Sequence, residues 1–196
     1  MHRLIVLTLV LTLASLGATA AQASPITYVA VLSGPAQDPP NSSAATGFVS
    51  VVFDLALHTM VVNVSFSDLM GNTTVSHIHA PTELARLGNA SVATQTPSFI
   101  GFPVGVQSGN FSSTFDMTLA SSYRAGYLAG FGGSTALAEA ALAQAAADGK
   151  AYFNIHTTAF PGGEIRGFLA VPDPGSTLLL FGMGLAGLCA FRKRHG

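Results

Sequence analysis

The sequence contains a His-x-His pair, His77 and His79, inside the alternating stretch Thr73–His79, which is predicted to form a β-strand. Because successive side chains of a strand point to opposite faces, both imidazoles share one face. A third histidine, His156, lies in a second predicted strand, 151–157. Three histidines from neighbouring strands, with water as a further ligand, suit Zn or Cu. The pattern predicts a candidate metal site on these three histidines.

Further polar residues lie close to the third histidine in the sequence. Asn154 shares the face of His156, and the final predicted strand carries Glu164 and Arg166 on one face. A Pro-Gly-Gly turn at 161–163 places Glu164 opposite or nearly opposite His156, and Arg166 near Asn154. Glu164 could therefore be a fourth ligand or could orient His156 from behind.

A purely structural interpretation of the same residues stays open. Asn154, Glu164 and Arg166 could hold the histidines in a buried hydrogen-bonded network that fixes the strand register. Arg166 favours this alternative, because a guanidinium beside Glu164 satisfies the carboxylate and repels a cation.

Composition and motifs exclude several classes of function. The whole chain has a net charge of −1, but residues 24–171 hold 4 Lys and Arg against 8 Asp and Glu, which gives 4 − 8 = −4. Nucleic-acid binding requires clustered basic residues, so no nucleic-acid partner is expected. The sequence has no nucleophile elbow, phosphate loop or HExxH motif, and no spacing of Asp and Glu marks a glycosidase pair. A non-catalytic protein is favoured over an enzyme.

The first 23 residues resemble a secretory signal. Arg3 precedes an apolar run over 4–16, and Ala21-Gln22-Ala23 forms an A-x-A cleavage site. Cleavage after Ala23 is expected, with an uncleaved membrane anchor as the alternative.

The last residues, 172–196, form a second targeting segment. The prolines of Pro172-Asp173-Pro174 oppose regular structure, an uncharged and mostly apolar run covers 176–191, and Arg192-Lys193-Arg194 follows. The basic cluster is expected to stay cytoplasmic. A plain C-terminal membrane anchor is the alternative to a sorting signal.

These features together resemble the PEP-CTERM sorting signal of Gram-negative bacteria. Asp173 stands where that family usually has Glu, and Gly175 is an additional residue. The resemblance implies transient anchoring in the inner membrane, processing by an exosortase, and release to the cell surface or the extracellular matrix.

The domain between the two targeting segments, 24–171, reads as mainly β. Alternating apolar residues predict strands over 26–32, 47–57, 60–66, 73–79, 111–119, 151–157 and 164–170. One Ala-rich helix is predicted over 134–147, with a short helical turn over 121–129. The expected fold is an antiparallel β-sandwich or Greek-key barrel with one short helical insertion.

Three stretches of this domain resemble the CHRD domain, named for its repeats in the secreted protein chordin. They are AVLSGPAQDPPNSSAATGFVSVVFD (30–54), VNVSFSDLMGNTTVSHIHAP (62–81) and DGKAYFNIHTTAFPGGEIRGFL (148–169). Asp38 and Ala80 replace the usual Glu and Gly. The resemblance implies an extracellular module and carries no established chemistry. The His-x-His strand is also distantly similar to a strand of copper–zinc superoxide dismutases, but no further histidines match the rest of that ligand set.

The expected function is therefore an exported, non-catalytic protein with a structural or adhesive role at the bacterial surface or in the exopolysaccharide matrix. Its expected partners are the processing exosortase and exopolysaccharide or surface proteins. The alternative is a Zn- or Cu-binding module with redox or hydrolytic activity.

Overall fold

The computed structural model describes residues 24–173. The predicted signal segment and cleavage site, and the apolar run and basic cluster of the C-terminal segment, lie outside the described residues. The described part forms seven strands and three helical segments: β1 (Ile26–Ser33), β2 (Thr46–Asp54), β3 (Thr59–Ser67), β4 (Thr73–His79), β5 (Gly109–Asp116), a 3-10 turn (Ala120–Ser122), α1 (Ala125–Ala129), α2 (Thr135–Ala147), β6 (Tyr152–Thr157) and β7 (Ile165–Phe168).

All seven strands join in one antiparallel sheet with the order β4-β6-β7-β1-β2-β3-β5. The sheet curls into a half-barrel, which confirms the mainly antiparallel β class. Within residues 24–173 no helix is long and apolar enough to cross a membrane.

Strand alternation decides which side chains enter the core. In β2, Val49, Val51 and Phe53 are buried, whereas Phe48 on the other face is largely exposed. The buried side chains of β1, β3 and β5 join them in one apolar cluster. Removing this apolar surface from water is the main contribution to stability.

Helix α2 packs on this core through Ala138, Leu142 and Ala145. The Ser134 hydroxyl caps its first turn by accepting a hydrogen bond from the Leu137 amide. Glu139, buried in α2, contacts the exposed turn between β2 and β3 through a 2.6 Å contact with His58 Nδ1.

The pairing of β4, β6 and β7 positions the candidate site. His77 pairs with Asn154, and Asn154 in turn pairs with Arg166, so the predicted register between the last two strands is confirmed. The alternate residues of these strands, Ile78, Phe153, Ile155 and Ile165, are fully buried in the apolar core. The polar residues therefore occupy the opposite face of the sheet.

A loop covers the free edge of β4, as an exposed strand edge requires. The Ile78 amide donates to Thr94 Oγ1, the Ser76 amide donates to Ser98 Oγ, and the Ala93 amide donates to the Ile78 carbonyl. The same loop brings the carbonyls of Ala90 and Pro97 over the polar face.

Candidate metal centre

The three predicted histidines form one cluster on the polar face. One ring nitrogen from each of His77, His79 and His156 lies within 4.8 Å of those of the other two. The ring centroids are 5.2 to 5.9 Å apart. The three residues are only 6%, 8% and 9% exposed. Among residues 24–173 this is the one group of His, Cys, Asp and Glu side chains with a geometry able to hold a metal ion.

Each histidine binds a backbone carbonyl through its other nitrogen. His77 Nε2 lies 2.6 Å from the Pro97 carbonyl, and His79 Nδ1 lies 2.8 Å from that of Ala90. His156 Nδ1 lies 2.9 Å from the Pro161 carbonyl. Because a carbonyl oxygen only accepts, each of these nitrogens carries the hydrogen. The carbonyls thereby fix the tautomer of all three rings.

The remaining nitrogens are His77 Nδ1, His79 Nε2 and His156 Nε2. All three are buried and have no hydrogen-bond partner. A buried polar atom without a partner is costly, and native proteins rarely leave several together. Lone pairs on neutral imidazoles, each oriented by a carbonyl behind it, are the arrangement that metal-binding histidines use.

Electrostatics keeps these rings neutral. Burial lowers the pKa of His77 to about 4 and that of His79 to about 4, and it also lowers the pKa of His156. The neighbouring histidines and Arg166 lower the pKa of His79 further. The rings are therefore ready to donate lone pairs at neutral pH, since binding does not first require proton loss.

Tyr152 supports the cluster from one side. Its ring lies parallel to that of His79, with centroids 4.8 Å apart and an interplanar angle of 5°. Arg166 lies against the Tyr152 ring, with its guanidinium carbon 4.7 Å from the centroid. The resulting stack of guanidinium, phenol and imidazole restricts how far the His79 ring can rotate.

Arg166 and Asn154 fasten two loops over the polar face. Arg166 Nη1 donates to the Gly88 carbonyl and to Asn89 Oδ1, and its Nε donates to the Ala36 carbonyl. Asn154 Oδ1 accepts from Gln37 Nε2 at 2.7 Å. These two residues thus hold the loops that border the histidines, as part of the expected polar network.

The carboxylate of Glu164 is bonded elsewhere, against the expectation that it meets His156 or Arg166, although the register leaves Glu164 nearly opposite His156. Its carboxylate accepts hydrogen bonds from Ser43 Oγ, Thr157 Oγ1 and the amides of Met70 and Gly71. Glu164 lies just before β7 begins at Ile165, so strand alternation does not govern its side chain. Its carboxylate reaches Thr157, which faces away from His156.

These hydrogen bonds explain the charge of Glu164. Burial alone raises the pKa of a carboxyl group, but the donors from Thr157, Met70, Ser43 and Gly71 outweigh it, and the pKa is lowered. Glu164 is fully buried. Its negatively charged carboxylate links two loops to β6 through hydrogen bonds. None of these hydrogen bonds involves a residue of the histidine cluster.

A metal ion fits the cluster after a small closure. Zinc and copper lie about 2.0–2.1 Å from imidazole nitrogens, so three such nitrogens are about 3.5 Å apart when bound. Nitrogens that now lie within 4.8 Å of one another therefore approach by up to about 1.3 Å when an ion binds.

The sequence did not reveal the residues that orient the rings. The partners on Ala90, Pro97 and Pro161 are backbone carbonyls, and no side-chain pattern marks them. Tyr152 carried a signal, because it lies two residues before Asn154 on the same strand face. The departure at Ala80 is accommodated, since Ala80 is not among the described residues with positive φ.

Comparison with known families gives two matches. The profile of the CHRD domain matches residues 28–169, most of the chain. The VPDSG-CTERM motif matches residues 170–195, so the C-terminal signal is of this PEP-CTERM-like class rather than a PEP-CTERM signal by name. Asp173 and Gly175, which depart from the PEP-CTERM pattern, agree with this motif. No curated protein and no solved structure matches the chain.

Proposed function

Because the chain belongs to the CHRD domain family and ends in a sorting motif, we propose that it is an exported surface protein whose domain binds one Zn or Cu ion through His77, His79 and His156. The sorting motif is compatible with processing by an exosortase-type enzyme. The metal-binding part of the proposal rests on the geometry of the histidine cluster.

One observation carries the metal site. Each histidine of this close cluster has one buried ring nitrogen without a hydrogen-bond partner, while the opposite nitrogen of each ring is held by a carbonyl. A structural network would supply partners for these atoms, as it does for Asn154 and Arg166. The free lone pairs therefore favour a metal site over a purely structural network.

The bound ion has a structural consequence. It joins β4, at the edge of the sheet, to β6, and it fixes the rings that hold the carbonyls of Ala90, Pro97 and Pro161. We therefore assign the domain a non-catalytic role, structural or adhesive, at the surface or in the exopolysaccharide matrix. Loss of surface attachment of the His77→Ala protein, compared with wild type, tests this part.

The export route completes the proposal. The signal segment 1–23 is removed after Ala23, and residues 172–196 anchor the chain in the inner membrane until the exosortase-type enzyme cuts it. The intact mass of the surface-released protein tests both cuts. A mass that still includes either segment contradicts the corresponding step.

Metal content tests the central proposal. The full chain is exported in a bacterial host, purified without chelator or affinity histidines, and analysed by inductively coupled plasma mass spectrometry. We expect about one Zn or Cu per chain, and loss of that metal in His77→Ala/His156→Ala. His58→Ala is the matched control, because His58 lies in an exposed turn and contacts Glu139 instead. Wild-type protein that stays metal-free after dialysis against both ions contradicts the proposal.

A further inference from the structure

The histidine cluster has no negative charge to offer an ion. Its three ligands are neutral imidazoles, and within the described residues no carboxylate belongs to the metal-binding group. Glu164, the carboxylate that the sequence predicted near the cluster, uses its oxygens on Ser43, Thr157 and two amides. Nothing in this ligand set offsets the charge of a bound ion.

A fixed positive charge lies close to the cluster. Arg166 lies against Tyr152, which stacks on His79, so a positive guanidinium is separated from a proposed ligand by one aromatic ring. A positive charge at this range opposes a cation bound to the histidines. The effect grows with the charge of the ion.

The surroundings also limit compensation by a bound anion. The guanidinium of Arg166 already donates to Ala36, Gly88 and Asn89. The amide oxygen of Asn154 accepts from Gln37. The three histidines are at most 9% exposed, so water screens the site poorly.

These conditions favour a bound metal ion of low charge. The cost of transferring an ion into a poorly hydrated site rises with the square of its charge, so a divalent ion costs about four times as much as a monovalent one. Zinc also takes a fourth ligand, usually water, at an open site. Cu(I) is a closed-shell monovalent ion that binds three nitrogens in a plane without a fourth ligand.

We infer that the ion selected by this site is Cu(I) rather than Zn(II) or Cu(II). The inference rests on the proposed function, because it names the ion held by the same three histidines. It assigns the exported domain to sequestration of cuprous ion and requires no change of oxidation state.

Asn154 offers a way to change the charge without changing the shape. It lies directly opposite His77 in the register, on the same face. Asn154→Asp preserves the oxygen that accepts from Gln37 and adds one negative charge next to the cluster. The variant is expected to favour divalent ions relative to Cu(I).

Competition titration tests the inference on the full chain. Under anaerobic conditions the protein competes with bathocuproine disulfonate for Cu(I), and in separate titrations with a chromophoric chelator for Zn(II) and Cu(II). We expect Cu(I) to bind at least about tenfold more tightly than Zn(II) or Cu(II), and the Asn154→Asp variant to reduce that ratio by about tenfold.

The possible outcomes separate the inference from the proposed function. Tighter binding of Zn(II) or Cu(II) than of Cu(I), or divalent binding that strengthens with added chloride or phosphate, overturns the inference and leaves the metal site intact. Failure of all three ions to bind overturns the site itself. Circular dichroism shows whether Asn154→Asp folds. If it does not, the ratio of Cu(I) affinity to divalent-ion affinity in the wild-type protein alone tests the inference.

Discussion

The ring of Tyr152 lies parallel to the ring of His79, and both side chains reach the backbone of Ala90. His79 Nδ1 donates to the Ala90 carbonyl at 2.8 Å, and the Tyr152 hydroxyl accepts from the Ala90 amide at 3.3 Å. One loop residue therefore fixes a candidate ligand and the aromatic ring that supports it. The other ring nitrogen of His79, Nε2, is buried and has no hydrogen-bond partner.

The tautomers of the three histidines follow from their carbonyl partners. We expect the metal-free protein at neutral pH to carry hydrogen on Nε2 of His77 and on Nδ1 of His79 and His156. The Nδ1–H form is the less common tautomer of free imidazole side chains. Finding it on His79 and His156 would therefore support their carbonyl contacts. Long-range ¹H–¹⁵N correlation spectra measure it, and a ring with the opposite tautomer would disprove its carbonyl contact.

Acid should destabilise the metal-free protein through these histidines. Their folded pKa is lowered, to about 4 for His77 and His79, against about 6.5 unfolded. The unfolded chain therefore binds more protons between those values, and stability falls as pH drops from about 6.5 to 4. His77 and His79 each remove on the order of 3 kcal/mol over that window.

Urea unfolding at a series of pH values measures this effect. In His77→Gln we expect a shallower loss of unfolding free energy between pH 6.5 and 4 than in wild type. Equal slopes for the two proteins would show that His77 is not buried in its neutral form.

The Glu164→Gln variant tests whether the carboxylate of Glu164 has a structural role or is a metal ligand. The anion accepts four hydrogen bonds, so its replacement by an amide should lower the free energy of unfolding by about 2–4 kcal/mol. The metal content should stay unchanged. Glu83→Gln, at an exposed position, is the control and should change little. If the Glu164→Gln protein folds but loses its bound metal, Glu164 is a metal ligand.

His58 should give the opposite pH dependence. The hydrogen bond to Glu139, and then the charge of that carboxylate, raise the pKa of His58. The stabilisation is therefore present below the unfolded pKa of about 6.5 and is lost as pH rises through the folded value. Denaturation of wild type and His58→Gln should differ more at pH 6 than at pH 9. A difference that is independent of pH would exclude a charged His58–Glu139 pair.

The alternation of side chains between the two faces of a strand made the larger features of this protein predictable. The apolar period of β2 and the His-x-His spacing of β4 identified the strands and the face that carries His77 and His79, because side-chain direction in a strand depends only on the backbone. The same rule placed Asn154 near Arg166, as the register shows.

The rule failed where the backbone leaves the strand. Glu164 lies just before β7, and its carboxylate reaches Thr157 instead of His156, which a single sequence does not reveal. The loop carbonyls on Ala90, Pro97 and Pro161 also escaped prediction, since every residue carries a carbonyl and only the folded loop selects these three. The antiparallel β class was predicted and is confirmed, but the order of the strands in the curled sheet was not predicted.

X-ray absorption at the metal edge tests the central claim most directly. The full chain is loaded with one equivalent of Cu(I) or Zn(II), and the fine structure reports the number and type of bound atoms. The account predicts three imidazole nitrogens at about 2.0 Å, and two in His156→Ala. A first shell of oxygen atoms without imidazole scattering, or a spectrum unchanged by His156→Ala, would contradict it.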